Sequence, residues 1–256
     1  MSFAGPRKRC SEKPLPPGNG GATSSSYLSW AAAVELFERR GLARETYRDL
    51  YEEEYILHPG AALVTGELSL DDHDGSPWCA DTPDQATGYV IDGDLTVEGN
   101  IVNVDDGAAA LVVLGNLRAA NVLLEGDVKL VVLGDVEVET FVGNWTDKLV
   151  KVHGDLRTAV TILWNEFCPD LVAGTLRGRV LAPRYLDLTD LGAGGLEDPG
   201  PDVPLSALMV PEVLVDGEPG PDDFAEIGVR SEALRERLGA GLPLIRGGRA
   251  VPAASS

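Results

Sequence analysis

Cysteine, histidine, basic residues and aromatic rings are all scarce in this chain of 256 residues, and each scarcity removes a class of answer. The three cysteines, Cys10, Cys79 and Cys168, stand far apart without metal-ligand spacing, so neither a disulfide framework nor a zinc site is expected, and a reducing cytoplasm is the simplest home. Only His58, His73 and His153 are available to a Ser-His-Asp or Cys-His device. Lys and Arg number 21 against 41 Asp and Glu, a formal net charge of -20. Nucleic acid and anionic membrane both need a basic surface that displaces counterions, so neither is expected as a partner; a basic protein is the natural complement. The same acidity would also serve simply to keep a repetitive β-protein soluble and apart from its copies. No apolar run is long enough to cross a bilayer, and Arg7, Lys8 and Arg9 are not followed by the apolar core of a secretion signal.

What is present is a phrase that returns about every 20 residues, the length of one solenoid coil. It reads Leu63–Leu70, Val90–Val97, Val112–Ala119, Val131–Val138, Lys151–Thr158 and, more weakly, Leu171–Gly178, each with a glycine in fourth place. After the glycine, apolar and polar residues alternate, as in Leu95/Val97 and Val136/Val138, which is the period of a strand with one buried face. The glycine therefore marks a corner where successive backbones approach closely. A second β-type run follows in each repeat, for example Ala120–Glu125 and Ala159–Trp164. The pattern predicts a parallel β-helix, expected right-handed, with at least two strands per coil. Low aromatic and high glycine content suit its narrow interior and tight corners.

The flanks read differently. Residues 1–26 are rich in Pro, Gly and Ser and are expected to be disordered. Residues 27–60 predict a helical cap: one helix begins at Ser26 or Ser29, carries Trp30, Ala33, Leu36 and Phe37 at helical spacing and stops at Gly41. A second runs from about Ala43 to Tyr55. This pair is expected to cover the open first coil. The β-helix spans 61–190, with a polar loop from Asp71 to Gly88 projecting from its first coil. An acidic, irregular cover spans 191–247, with a helix from about Ser231 to Leu238, and a loose tail spans 248–256.

Over about Leu63 to Leu188 the chain resembles the bactofilin-like proteins, polymer-forming cytoskeletal β-helices of bacteria, on the Gly-Asp-Leu-x-Val phrase at Gly93–Val97 and its relative at Gly134–Val138. The resemblance implies a right-handed parallel β-helix that assembles by stacking end coils. The helical and Pro-rich flanks depart from that pattern, and filament formation is not favoured. A fainter resemblance, without a motif to carry residues over, is to β-helical immunity proteins of polymorphic toxin systems.

Candidate chemistry is thin. Asp71, Asp72, His73 and Asp74 with Cys79 form the densest group of potential ligands, but the calcium-loop pattern is not met, and a solvated loop is the expectation. His153 occupies a slot that elsewhere accepts Asp92, Leu114 or Leu133, so it reads as a wall residue. No catalytic, cofactor or metal residues are assigned, and an enzyme ranks behind a binding scaffold and a structural polymer. If the coils stack in register, Asp94, Asn116, Asp135 and Asp155 form one outward column, and Thr96, Arg118, Glu137, Arg157 and Arg177 another. The like charges at Asp135 and Asp155 make that face a candidate for a basic partner. From Asp187 through Glu226 there are eleven acids and no Lys or Arg, so Asp187, Asp190, Asp198, Asp222 and Asp223 join Asp135 and Asp155 as candidate partner-binding residues. The function expected is a non-catalytic cytoplasmic scaffold that binds a basic protein, most concretely an immunity protein neutralising a toxin.

Overall fold

The short apolar runs of this sequence cannot be buried singly; stacked in register they share one interior, and the architecture follows from that. A computed structural model describes residues 26–71, 87–105, 109–145, 147–188, 191–200, 202–215, 227–248 and 250–251. The strands form a β-solenoid of about 5 turns, about 20 residues apart. Each coil holds three strands, where at least two were expected, so the stack has three lateral faces. The first face is built from β2 (Tyr55–His58), β5 (Gly88–Ile91), β8 (Ala109–Val113), β11 (Val128–Val132) and β14 (Leu149–Val152). The second holds β3 (Ala62–Val64), β6 (Leu95–Val97), β9 (Leu117–Arg118) and β12 (Val136–Glu137). The third holds β4 (Leu68–Ser69), β7 (Ile101–Asn103), β10 (Asn121–Leu124) and β13 (Thr140–Asn144). Later strands turn corners without a break: β15 (Leu156–Trp164) continues the second and third faces, and β16 (Leu171–Leu181) all three.

The parallel register fixes the core. Ala62, Leu95, Leu117, Val136, Leu156, Leu176 and Leu196 stack in one inward column. Burying each leucine of such a column contributes roughly 1.5–3 kcal/mol. The register also corrects the first repeat. Ala62 pairs with Leu95, so the corner glycine opposite Gly93 is Gly60, and Leu68-Ser69 belongs to the third face opposite Ile101-Val102. Gly66 sits at the next corner, beside Gly99. At the other end the stack runs past residue 190: β17 (Ala193–Glu197) pairs with β16 and places Leu196 twenty residues after Leu176.

The N-terminal segment begins with β1 (Ser26–Leu28), antiparallel to β2, and continues into helix α1 (Trp30–Arg40). Ser29 caps α1, its hydroxyl accepting from the Ala32 N–H at 3.4 Å, and Gly41 ends it at φ 81°, a left-handed conformation that favours glycine. The second expected helix is reduced to α2 (Arg44–Tyr47). Its remainder yields to sheet pairing, because Tyr55-Ile56-Leu57 lies between β1 and β5 and gains two ladders that a helix would forgo. The helices also cover a flank, and only β1 lies on the end coil. Ala33, Leu36, Phe37, Tyr47 and Leu50 pack on Val90, Val112, Leu114 and Val131, the outward residues of the first face. That face is buried on both sides, which explains why its strands read as unbroken apolar runs.

The C-terminal segment covers the third face in the same way. It comprises α3 (Leu205–Leu208), a 3-10 turn at Pro211–Val213, and α4 (Ser231–Gly239), tied by the bridges Met209–Ile245 and Leu214–Val229. Ser231 is the first residue of α4, buried, with Arg230 at the cap position. Met209, Val213, Val229, Leu234 and Leu238 bury Leu123, Val142, Val160 and Ile162. Arg235 grips Glu125 with two hydrogen bonds, at 2.8 and 2.6 Å, and the buried Asn100 amide donates to the Leu238 carbonyl at 3.0 Å. Among the described residues, β3, β4 and β17 are hydrogen-bonded on one side only.

Candidate binding face

With two faces sealed, the second face is the one left to solvent, and its side chains are set by the corner phrase. In four successive coils the residue after the corner glycine reaches along the stack to the next coil. The Asp94 carboxylate accepts from the Asn116 N–H at 2.7 Å, the Asn116 amide oxygen from Asp135 N–H at 2.9 Å, Asp135 from Asp155 N–H at 2.9 Å, and Asp155 from Thr175 N–H at 2.9 Å. These side chains lie beneath the glycine of the following coil. A Cβ on Gly115, Gly134, Gly154 or Gly174 would overlap the Asp or Asn oxygen. Glycine is required there by close approach and not by a left-handed backbone, since none of the four has positive φ. The Gly-Asp pair is thus one structural unit spread over two coils.

The predicted outward column is present: Leu63, Thr96, Arg118, Glu137, Arg157, Arg177 and Glu197 are consecutive register partners. Arg118 pairs with Glu137 at 3.1 Å. Arg157 turns instead to the neighbouring column, binding Asp135 and Asp155 at 2.7 Å each, and Arg177 spans Asp155 at 3.5 Å and Glu197 at 3.3 Å. The two aspartates therefore do not repel across an open gap. Backbone N–H groups first, and then the Arg157 guanidinium, hold both carboxyls below the usual carboxylate range. Where this face meets the third, a shallow groove of about 500 Å³ is lined by Arg118, Glu137, Val138, Arg157 and Thr158.

Four of the seven candidate acids are described, and two of them, Asp135 and Asp155, are joined through Arg157. Asp135 and Asp155 are ladder members. Asp187 is exposed in the connection after β16. Asp198 is held against the stack, accepting from Val180 N–H at 3.0 Å and Gly200 N–H at 2.7 Å with Arg179 at 3.5 Å. Asp190, Asp222 and Asp223 lie outside the described residues, as do Asp72, His73, Asp74, Cys10 and Cys79. His153 is the expected wall residue: its Nε2 lies 3.0 Å from the Thr46 hydroxyl beneath α2, and burial, then Lys151, lowers its pKa. Among the described residues no group of three His, Cys, Asp or Glu is placed to hold a metal ion, and no helix is long and apolar enough to cross a membrane.

Sequence reasoning missed the last rung, although Ala193-Gly194-Gly195-Leu196 repeats Ala173-Gly174-Thr175-Leu176 at the proper distance. It named Asp198 but missed its pairing with Arg179. No family model, curated protein or solved structure matches this chain.

Proposed function

We propose that this chain is a non-catalytic, cytoplasmic scaffold that binds a basic protein, with toxin neutralisation by an immunity protein as its most concrete form. One observation carries the reading: two of three flanks are consumed by the chain's own terminal segments, and the third is left bare as a flat, braced surface. Its charges are fixed by the ladders before any partner arrives, so little side-chain freedom is lost on docking. The formal net charge of -20 draws cationic proteins towards that surface and speeds encounter. The test is co-expression and binding with the product of the neighbouring gene. Growth rescue and an association that slows as salt rises are expected; no association at low salt would overturn the proposal.

A structural protein that assembles end to end is the second reading, favoured by the one-sided pairing of β3, β4 and β17. The flanking segments do not shield the ends as the sequence suggested. Against it stands β1, which occupies on the first coil the place where a stacking copy would add its own first-face strand. Sedimentation and electron microscopy of the intact chain are expected to find a small species without filaments. Abundant filaments would make end-to-end assembly the better reading.

A further inference from the structure

The inward column is closed everywhere except at its C-terminal end. Ala62 is 6% exposed, Leu95, Leu117, Val136, Leu156 and Leu176 are each 0% exposed, and Leu196 is 40% exposed. Leu196 faces inward like the others; what it lacks is a coil above it. Its strand, β17, pairs with β16 and with no other described strand, and no described backbone group donates to or accepts from its outer edge. Gly194 and Gly195 leave two consecutive positions of the strand without a side chain on either face.

We propose that the outer edge of β17 takes up an extended, basic segment of the partner protein as an added parallel or antiparallel strand. This rests on the protein-binding reading above and names how the partner is held. Strand addition satisfies the open N–H and C=O groups of β17, and alternate side chains of the segment fall on the two sides of the sheet. An apolar residue over Leu196 completes the core column, and a lysine or arginine over Glu197 extends the charged one, where Arg177 already pairs with Glu197 from below. The surrounding charge selects the occupant. From Ala182 to Asp202 the described residues carry Asp187, Glu197, Asp198 and Asp202 against the single cation Arg184, with Arg177 and Arg179 reaching Glu197 and Asp198 from the coil below, which leaves the surroundings acidic. A second copy meeting edge to edge would set these acids against their own kind, and a copy stacking head to tail meets β1 on the first coil.

The probe is a fluorescent octapeptide of alternating valine and lysine, titrated by anisotropy at low salt against the full chain. It is compared with a valine–glutamate octapeptide and with one of the same valines and lysines in two blocks. Leu196→Lys is the edge variant. Ala31→Lys, which makes the same charge change on the exposed side of α1, is the control, and urea midpoints establish that both variants fold. The alternating valine–lysine peptide is expected to bind roughly tenfold or more tightly than either other peptide, to lose roughly tenfold in Leu196→Lys and to change less than about twofold in Ala31→Lys. Equal losses in the two variants, or equal binding of the block peptide, would mean that the chain's general charge attracts the peptide and would overturn the proposal. So would a concentration-dependent dimer abolished by Leu196→Lys, which would make a second copy the occupant. If the neighbouring gene product binds the chain and ignores Leu196→Lys, the edge proposal fails and the scaffold reading stands. If that product does not bind at all, the scaffold reading fails, and the peptide titration still decides the edge.

Discussion

Replacing Gly134 by alanine adds a single methyl group at the centre of the stack, and the cost can be worked from its surroundings. The new Cβ would overlap the Asn116 Oδ1 and lie 2.8 Å from the carbonyl oxygen and 2.9 Å from the carbonyl carbon of Gly115. Neither neighbour yields easily. The Asn116 amide is held by the Asp135 N–H at 2.9 Å, and Gly115 accepts from Gly134 N–H at 2.9 Å as part of the ladder. Displacing the amide leaves a backbone donor without its partner, about 1–3 kcal/mol, and forcing the backbones apart adds about 1–3 kcal/mol of overpacking. A loss of roughly 2–5 kcal/mol follows, read as a lower urea midpoint at unchanged slope. Gly41→Ala supplies the contrast. Gly41 has φ 81° with nothing within 4 Å of a Cβ, so its penalty is conformational only, about 1–2 kcal/mol. The double variant Asn116→Ala/Gly134→Ala removes one of the two overlaps and should cost about 1 kcal/mol less than the sum of the single changes. A midpoint for Gly134→Ala no lower than that of Gly41→Ala, together with strict additivity in the double variant, would refute the claim that Asn116 and Gly134 form one unit.

Two further outcomes are expected. Arg157→Ala leaves Asp135 and Asp155 facing each other, so its urea midpoint should fall, by more in low salt than in high salt; a deficit independent of salt would remove the electrostatic account. His153 is held neutral by burial against Thr46, with a pKa below its ordinary 6.5. Its contribution is therefore complete above about pH 6.5 and is lost as pH falls through the lower folded value. His153→Gln should flatten the stability profile in that window, measured by urea titration at successive pH values, and an unchanged slope would show that other groups govern it.

The repeat was legible because glycine and the Asp or Asn after it are forced by contact between coils, and such contacts return with every coil. The same logic fails at the first and last rungs. Gly60-Ala61-Ala62 and Gly194-Gly195-Leu196 carry no Asp or Asn after the glycine, and the weak phrase at Gly174-Thr175-Leu176 lacks it too. The position of the flanking segments was less accessible. A helix that covers a flank and one that covers an end both present a single apolar stripe. The distinction lay instead in the strands, where Ala109–Val113 and Val128–Val132 carry apolar residues at outward positions that only a lateral cover would bury. The acidic stretch after Asp187 was legible only as a sum of charges: composition does not show that Asp198 is held by the Val180 and Gly200 N–H groups and by Arg179.

The C-terminal cover sets a timetable for the chain as it is made. Each coil contacts a predecessor about 20 residues back, so the stack can grow in step with synthesis, coil upon finished coil. The third face cannot be completed on that schedule. Glu125 waits 110 residues for Arg235, and Asn100 waits 138 residues for Leu238. Until α4 leaves the ribosome, Leu123, Val142 and Ile162 stand uncovered in a row along a finished sheet, so the nascent protein is most prone to stick to its neighbours in the interval between the last coil and α4.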